Sequence, residues 1–323
     1  MKRHDFTGRI ERWALQHPLN VGGVRLSLLV VRVARQFLDV RVMGLAAEMT
    51  YYTLLSVFPL IGALGAGLGF LERFIGAAAA EDVEATVILS LDTVFSAEVT
   101  QDVIAPLVQG LLQQERAGFA VGSFLLSLFL ASRVFRSAIH VLDLAYRVEE
   151  RRGVLALWTL GFLFALGAIV TATTVLSMVV VGPLLGGGRV IAEWLGLGIA
   201  FEVAWALARW PFVFMVATGF LAVLYRTGPN VRNTWVQSVP GAVFGMIALL
   251  LVAVGFRAYL AVAGLESPEI LDAEEAVVVG AQLVGAILAA LLWLWLSATV
   301  ILTGGVVNAE LSRLRHDMPA PQV

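Results

Sequence analysis

Cysteine is absent from the 323 residues. Disulfides, thiolate metal sites, iron–sulfur clusters and cysteine nucleophiles are therefore excluded. Charge is scarce: Asp, Glu, Lys and Arg make up 14% of the chain, against about 25% in ordinary globular proteins. Histidine occurs at His4, His17, His140 and His316 only, with no HxxxH or HExxH spacing. The 22 Lys+Arg and 24 Asp+Glu leave a net charge of −2, which gives no global basic surface for nucleic acid. Proline is also rare, at 10 residues, so no Pro-rich linker is expected. There is no GxxxxGK[ST] loop and no GxSxG elbow, which removes the usual nucleotide and acyl-transfer signatures. No acidic cluster has metal-site spacing. The expectation is a chain that is not an enzyme, with no metal and no cofactor.

What is present is apolar. Such residues make up 59%, with a mean hydropathy of +0.87. So few charges cannot keep a surface wet, and the solvent implied is a bilayer. Six apolar stretches, near 46–70, 118–142, 154–182, 203–226, 236–257 and 279–308, are long enough to cross ~30 Å of hydrocarbon at ~1.5 Å per residue. Hydropathy alone would also accommodate five or seven. Backbone groups in lipid must pair internally, so these read as helices; the ~10-residue alternation of barrel strands is missing. The first 20 residues lack the apolar core of a signal peptide. Residues 24–40 read as an amphipathic helix, with Leu26, Val30, Val33 and Phe37 on one face and Arg25, Arg32, Arg35 and Asp39 on the other. Such a helix can lie on the lipid surface or pack on its own bundle.

Loop charges set the orientation. With the N-terminus in the cytoplasm, 17 of 22 Lys+Arg fall inside and 4 outside, with Arg209 left near the fourth span. That asymmetry fits the positive-inside rule with both termini cytoplasmic. The predicted organisation is a cytoplasmic segment 1–44, a six-helix membrane domain 45–311 and a tail 312–323. Outer loop 71–117 is acidic and reads as a helical hairpin from Val83, Val87, Leu91 and Val94, then Leu107, Leu111 and Leu112 after Pro106. The fold class is all-α, polytopic.

Two sets of residues could carry chemistry. Glu48, Tyr51, Tyr52, Ser56 and Pro59 share one face of the first span, within roughly 140°. A carboxylate there faces protein or water rather than lipid, or sits at the cytoplasmic edge beside an arginine. Pro59 deprives the Leu55 carbonyl of its helical donor and predicts a kink. At the end of the second span, Arg133, Arg136, His140, Asp143 and Arg147 fall within about 80°. Asp143 could pair with Arg147 or Arg136. This stripe either faces a vestibule that suits anions or is a solvated helix extension. Arg209-Trp210-Pro211 reads as the outer start of the fourth span, with Arg209 snorkelling or buried as a gate, and Glu202 able to couple to it. Gly228-Pro229 ends that span in a tight turn. Pro59, Pro211 and Pro229 are the candidate conformational positions.

At these residues the sequence resembles the YihY/BrkB family of bacterial inner-membrane proteins, often labelled ribonuclease BN-like. The carrying segments are Ala46 to Leu60 with Tyr51, Tyr52, Ser56 and Pro59-Leu60; Phe135-Arg136-Ser137-Ala138-Ile139 through Ala145-Tyr146; Leu224-Tyr225-Arg226 with Pro229-Asn230, Trp235 and Pro240-Gly241-Ala242; and Asn308-Ala309-Glu310-Leu311. They cover about residues 25–315. Asp143 stands where the family more often has Asn, and Val306 where many members have an acid. The resemblance implies six membrane helices with both ends inside, and no settled activity.

Three readings follow. One is a transporter or flippase-like protein moving an anionic lipid or other amphiphile through a polar cavity, with membrane lipids as partners. Another is a non-transporting scaffold for an envelope partner. The third, a membrane-bound nuclease, lacks a metal-binding acid cluster and a basic groove. Gly-rich helices permit close packing within the chain or in a homo-oligomer.

Overall fold

The computed structural model describes residues 20–21, 24–75, 117–181, 199–263 and 275–316. A two-residue antiparallel pairing, β1 (Asn20–Val21) with β2 (Val24–Arg25), leads into helix α1 (Leu26–Asp39). Then follow α2 (Val42–Ile75), α3 (Ala117–Tyr146), α4 (Val154–Leu176), α5 (Ile199–Thr227), α6 (Trp235–Ala263) and α7 (Glu275–His316). A π-helical turn, Ser177–Val181, continues α4. Helices α2 to α7 each contain a stretch apolar and long enough to cross a membrane, the shortest being Val42–Ala63. All six expected spans are present. The fourth helix differs at its start: α5 begins at Ile199, so Pro211 is not in a first turn but well inside the helix. There it removes a donor to the Leu207 carbonyl. Helix α2 likewise runs unbroken through Pro59 and on to Ile75, past the expected loop boundary at residue 71. The rest of the expected outer hairpin lies outside the described residues.

The chain divides into two compact units. The first takes residues 1–50, 134–257 and 292–323, and the second 51–133 and 258–291. Helices α2, α3, α6 and α7 contribute a segment to each.

In the first unit, the packed centre is Ile139 and Leu142 of α3, Phe164 of α4, Leu221, Leu224 and Tyr225 of α5, and Met246 of α6. Phe135, Phe164 and Phe220 form an aromatic triad with centroids 5.8 to 6.4 Å apart. Lipid is as apolar as these side chains, so association rests on close packing and interhelical hydrogen bonds. Glycine supplies the closeness at one crossing. A Cβ on Gly304 would stand 2.6 Å from the Tyr225 hydroxyl and 2.8 Å from the Gly241 carbonyl oxygen. One on Gly241 would overlap the Gly304 carbonyl and the Asn308 side chain.

In the second unit, the Ser127 hydroxyl of α3 donates to the Ser56 carbonyl of α2 at 2.9 Å. That carbonyl lies beside the ladder position emptied by Pro59. Serine hydroxyls on neighbouring helices are one of the means by which proline in a membrane helix is accommodated.

Candidate functional site

One end of the first unit gathers helix termini and polar side chains. Helix α3 ends at Tyr146 because Arg147 turns into the left-handed region at φ 56°. Val148 N–H then closes back on the Asp143 carbonyl at 3.0 Å, a Schellman-type stop without glycine. The last carbonyls of α3 are taken up from elsewhere. Gln36 of α1 donates to Ala145 O at 3.2 Å, and Arg313 of α7 donates to the same oxygen at 2.8 Å. Arg147 in turn donates to Gln36 Oε1 at 3.0 Å. Arg313 also pairs with the buried Glu310.

Helix α5 ends at Thr227 ahead of Gly228, whose N–H donates to Leu224 O at 2.8 Å. A Cβ at Gly228 would collide with that same carbonyl, which is the physical reason for glycine here. Arg152 caps the end, donating to Gly228 O at 2.7 Å and Thr227 O at 3.3 Å. Glu150 holds the guanidinium by two parallel bonds, 2.9 Å to Oε1 and 2.6 Å to Oε2. These bonds hold the Glu150 carboxyl below the usual carboxylate range. Asp143 is buried; it accepts the Asn230 N–H at 2.7 Å and lies 4.0 Å from Arg152.

At the start of α6 one half of a capping box is formed: Gln237 Oε1 accepts the Thr234 N–H at 2.9 Å, while the Gln237 N–H goes to the Thr234 carbonyl at 3.1 Å. Two turns of chemistry then join α6 to α7. Asn308, fully buried, accepts the Gly241 N–H and donates to Ser238 O, both at 2.7 Å. Tyr225, also buried, donates to the Ile301 carbonyl. The segments Ala145-Tyr146, Tyr225 to Asn230, Pro240-Gly241-Ala242 and Asn308 to Leu311 thus meet at one end of one unit.

The stripe expected on α3 is shared out among different partners. Asp143 and Arg147 serve the helix termini, and the cation beside Asp143 is Arg152 rather than Arg147 or Arg136. The Arg136 guanidinium sits over the Trp158 ring at 4.2 Å. His140 is exposed. Arg133, near the midpoint of the Gly118–Tyr146 stretch, donates to the Tyr52 hydroxyl at 2.9 Å, with its guanidinium 4.7 Å from that ring. Among the described residues, no carboxylate pairs with Arg133 or Arg136.

On α2, Ser56 is buried and turns its hydroxyl to Thr53 O, Tyr51 is exposed and packs edge-on against Tyr52, and Glu48 is exposed. Of the two predicted sets, Tyr52 and Arg133 are brought together. Arg209 has its Nε buried without a hydrogen-bond partner and its guanidinium 5.4 Å from the Trp210 ring; the Glu202 side chain lies outside the described residues. Pro229 is buried in the α5–α6 turn, its carbonyl accepting from Val231 N–H at 2.8 Å. Sequence reasoning missed Gln36, Glu150, Arg152, Ser127 and Arg313. Glu150 lies four residues past the end of α3. The Thr-x-x-Gln capping box at 234–237 was a readable signal; the others had none.

Six apolar helices, with charged and amide side chains spent on closing helix ends, define an α-helical polytopic membrane protein. Residues 33–322 match the family model described as Virulence factor BrkB, and the chain belongs to that family. It is also 24% identical over 274 residues to the ribonuclease-like protein YfkH of Bacillus subtilis (strain 168), covering 85% of this chain and 91% of that one. No solved structure matches.

Proposed function

We propose that this integral membrane protein is a transporter or flippase-like protein for an anionic lipid or related amphiphile, and not an enzyme. It would sit in the bacterial inner membrane with both termini cytoplasmic. The observation that carries the reading is Arg133. A guanidinium near the middle of a membrane stretch is expensive and is ordinarily paired or placed on a substrate path. Here it is held by a tyrosine hydroxyl, not by an acid. The hydrogen bond fixes the group without neutralising it. A phosphate or carboxylate headgroup supplies the missing charge, and the guanidinium fork suits both. Arg136, one turn further along α3, is likewise held by an aromatic face.

The test is native mass spectrometry of protein purified in mild detergent, comparing wild type with Arg133→Ala/Arg136→Ala. Selective retention of one anionic lipid class by wild type, lost from a variant that still folds, is the expected result. Equal retention by both would overturn the headgroup site. Metal-dependent RNA cleavage by the purified protein would overturn the non-enzymatic reading.

A further inference from the structure

We propose that the outward face of α1 is a lipid-docking surface that seats at the headgroup–acyl boundary of the anionic leaflet facing the chain's basic end. The proposal is independent of what the protein transports.

Sequence periodicity grouped Leu26, Val30, Val33 and Phe37, but the structure uses a different division. Leu28, Leu29 and Val33 pack with Leu311 and Leu314 of α7. Gln36 points the same way, to the α3 terminus. The opposite face carries Val30, Ala34 and Leu38, all exposed, with Val30 at 59% and Leu38 at 71%.

Three anchors fix the level of this face. The α1–α2 turn is only Val40-Arg41, held by Val40 N–H to Gln36 O at 2.9 Å and Arg41 N–H to Leu38 O at 3.1 Å. Helix α2 therefore enters its membrane stretch at once, from Val42. Gln36 reaches the last residues of α3, and Leu28 and Leu29 reach the last turns of α7. So α1 lies at the depth where the membrane stretches end. Just beyond the turn, Met43, at the start of the apolar stretch of α2, is 51% exposed. Charge agrees with an anionic surface: among the described residues of this end of the chain, Arg25, Arg32, Arg35 and Arg41 stand against Asp39. A helix with an apolar face at this depth and cations about it is the pattern of an interfacial amphipathic helix.

The cysteine-free chain makes the test direct. Single cysteines (Val30→Cys, Ala34→Cys, Leu38→Cys and, on the edge, Arg35→Cys) are nitroxide-labelled in the full-length protein. The protein is placed in nanodiscs of phosphatidylcholine with phosphatidylglycerol. Leu29→Cys serves as the buried reference, and a thermal unfolding curve shows which labelled proteins are folded. Labels at 30, 34 and 38 are expected to collide several-fold more with oxygen, relative to a water-soluble nickel chelate, than the label at 35. They are expected to move toward water when phosphatidylglycerol is omitted. Nickel access at 30, 34 and 38 equal to that at 35 overturns the proposal. So does exclusion of both reagents, as at position 29, which would mean a protein partner such as a second copy. An unchanged depth without phosphatidylglycerol overturns the anionic component.

Discussion

Asn308 should be among the most costly single side chains to remove. It is fully buried and makes both of its bonds to the first turns of α6, at 2.7 Å each. Interhelical side-chain bonds in membranes average about 0.6 kcal/mol with a maximum near 1.7, so the pair contributes about 1–3 kcal/mol. Truncation to alanine also empties roughly 40 Å³, which adds about 1 kcal/mol at ~24 cal/mol per Å³. Asn308→Ala is therefore expected to lose about 2–4 kcal/mol. Equilibrium unfolding in mixed micelles, titrated with a denaturing detergent, reads this directly. Asn308→Leu separates the two terms, since it refills the volume but makes neither bond. It should stay at least about 1 kcal/mol below wild type. A leucine variant within about 0.5 kcal/mol of wild type would refute the reasoning, because packing alone would then hold α6 to α7.

Gly304→Ala should cost about 1–3 kcal/mol through overpacking, since the new methyl collides with Tyr225 and Gly241; the same unfolding assay checks it, and Tyr225→Phe should cost less because it removes only one bond. The Glu150 carboxyl is held low by Arg152, so its contribution is present above the unfolded value of about 4.3 and is lost as pH falls through the lower folded value. Wild type should accordingly exceed Glu150→Gln in stability at neutral pH, with the gap closing in strong acid; a gap that widens on acidification would reverse the sign. Ser127→Ala should lose about 0.6 kcal/mol, measurable as a small shift in the unfolding midpoint.

The number and order of membrane helices were legible because apolar runs of this length have one physical outcome in lipid. Their ends were not. Whether α5 starts at 203 or Ile199, or where α3 stops, depends on which side chain reaches a terminal carbonyl from far along the chain. Gln36 meets Ala145, and Arg313 meets it from the other direction; no local pattern announces either. Helical spacing grouped Arg133, Arg136, Asp143 and Arg147 on one side of a helix, but α3 stops at Tyr146 and leaves Arg147 beyond its end. It could not say that each would find a different neighbour. The turn at Gly228 was legible because the left-out Cβ is a local requirement. The crossing at Gly241 and Gly304 was not, because its reason lies on another helix. Tyr52 and Arg133, from separate predicted sets, were joined only by the fold.

The arginines at the basic end are, in effect, read twice. In the proposed topology, Arg147, Arg152 and Arg313 count among the charges that hold their loops on one side during insertion. Once the helices are in place, Arg152 and Arg313 sit where carbonyl ends carry partial negative charge and close them, while Arg147 holds Gln36, which reaches the same α3 terminus. Orientation and assembly thus draw on one set of side chains. Neutralising Arg152 would weaken both at once, whereas Arg152→Lys would keep the topological charge and lose the fork that spans Thr227, Gly228 and Glu150.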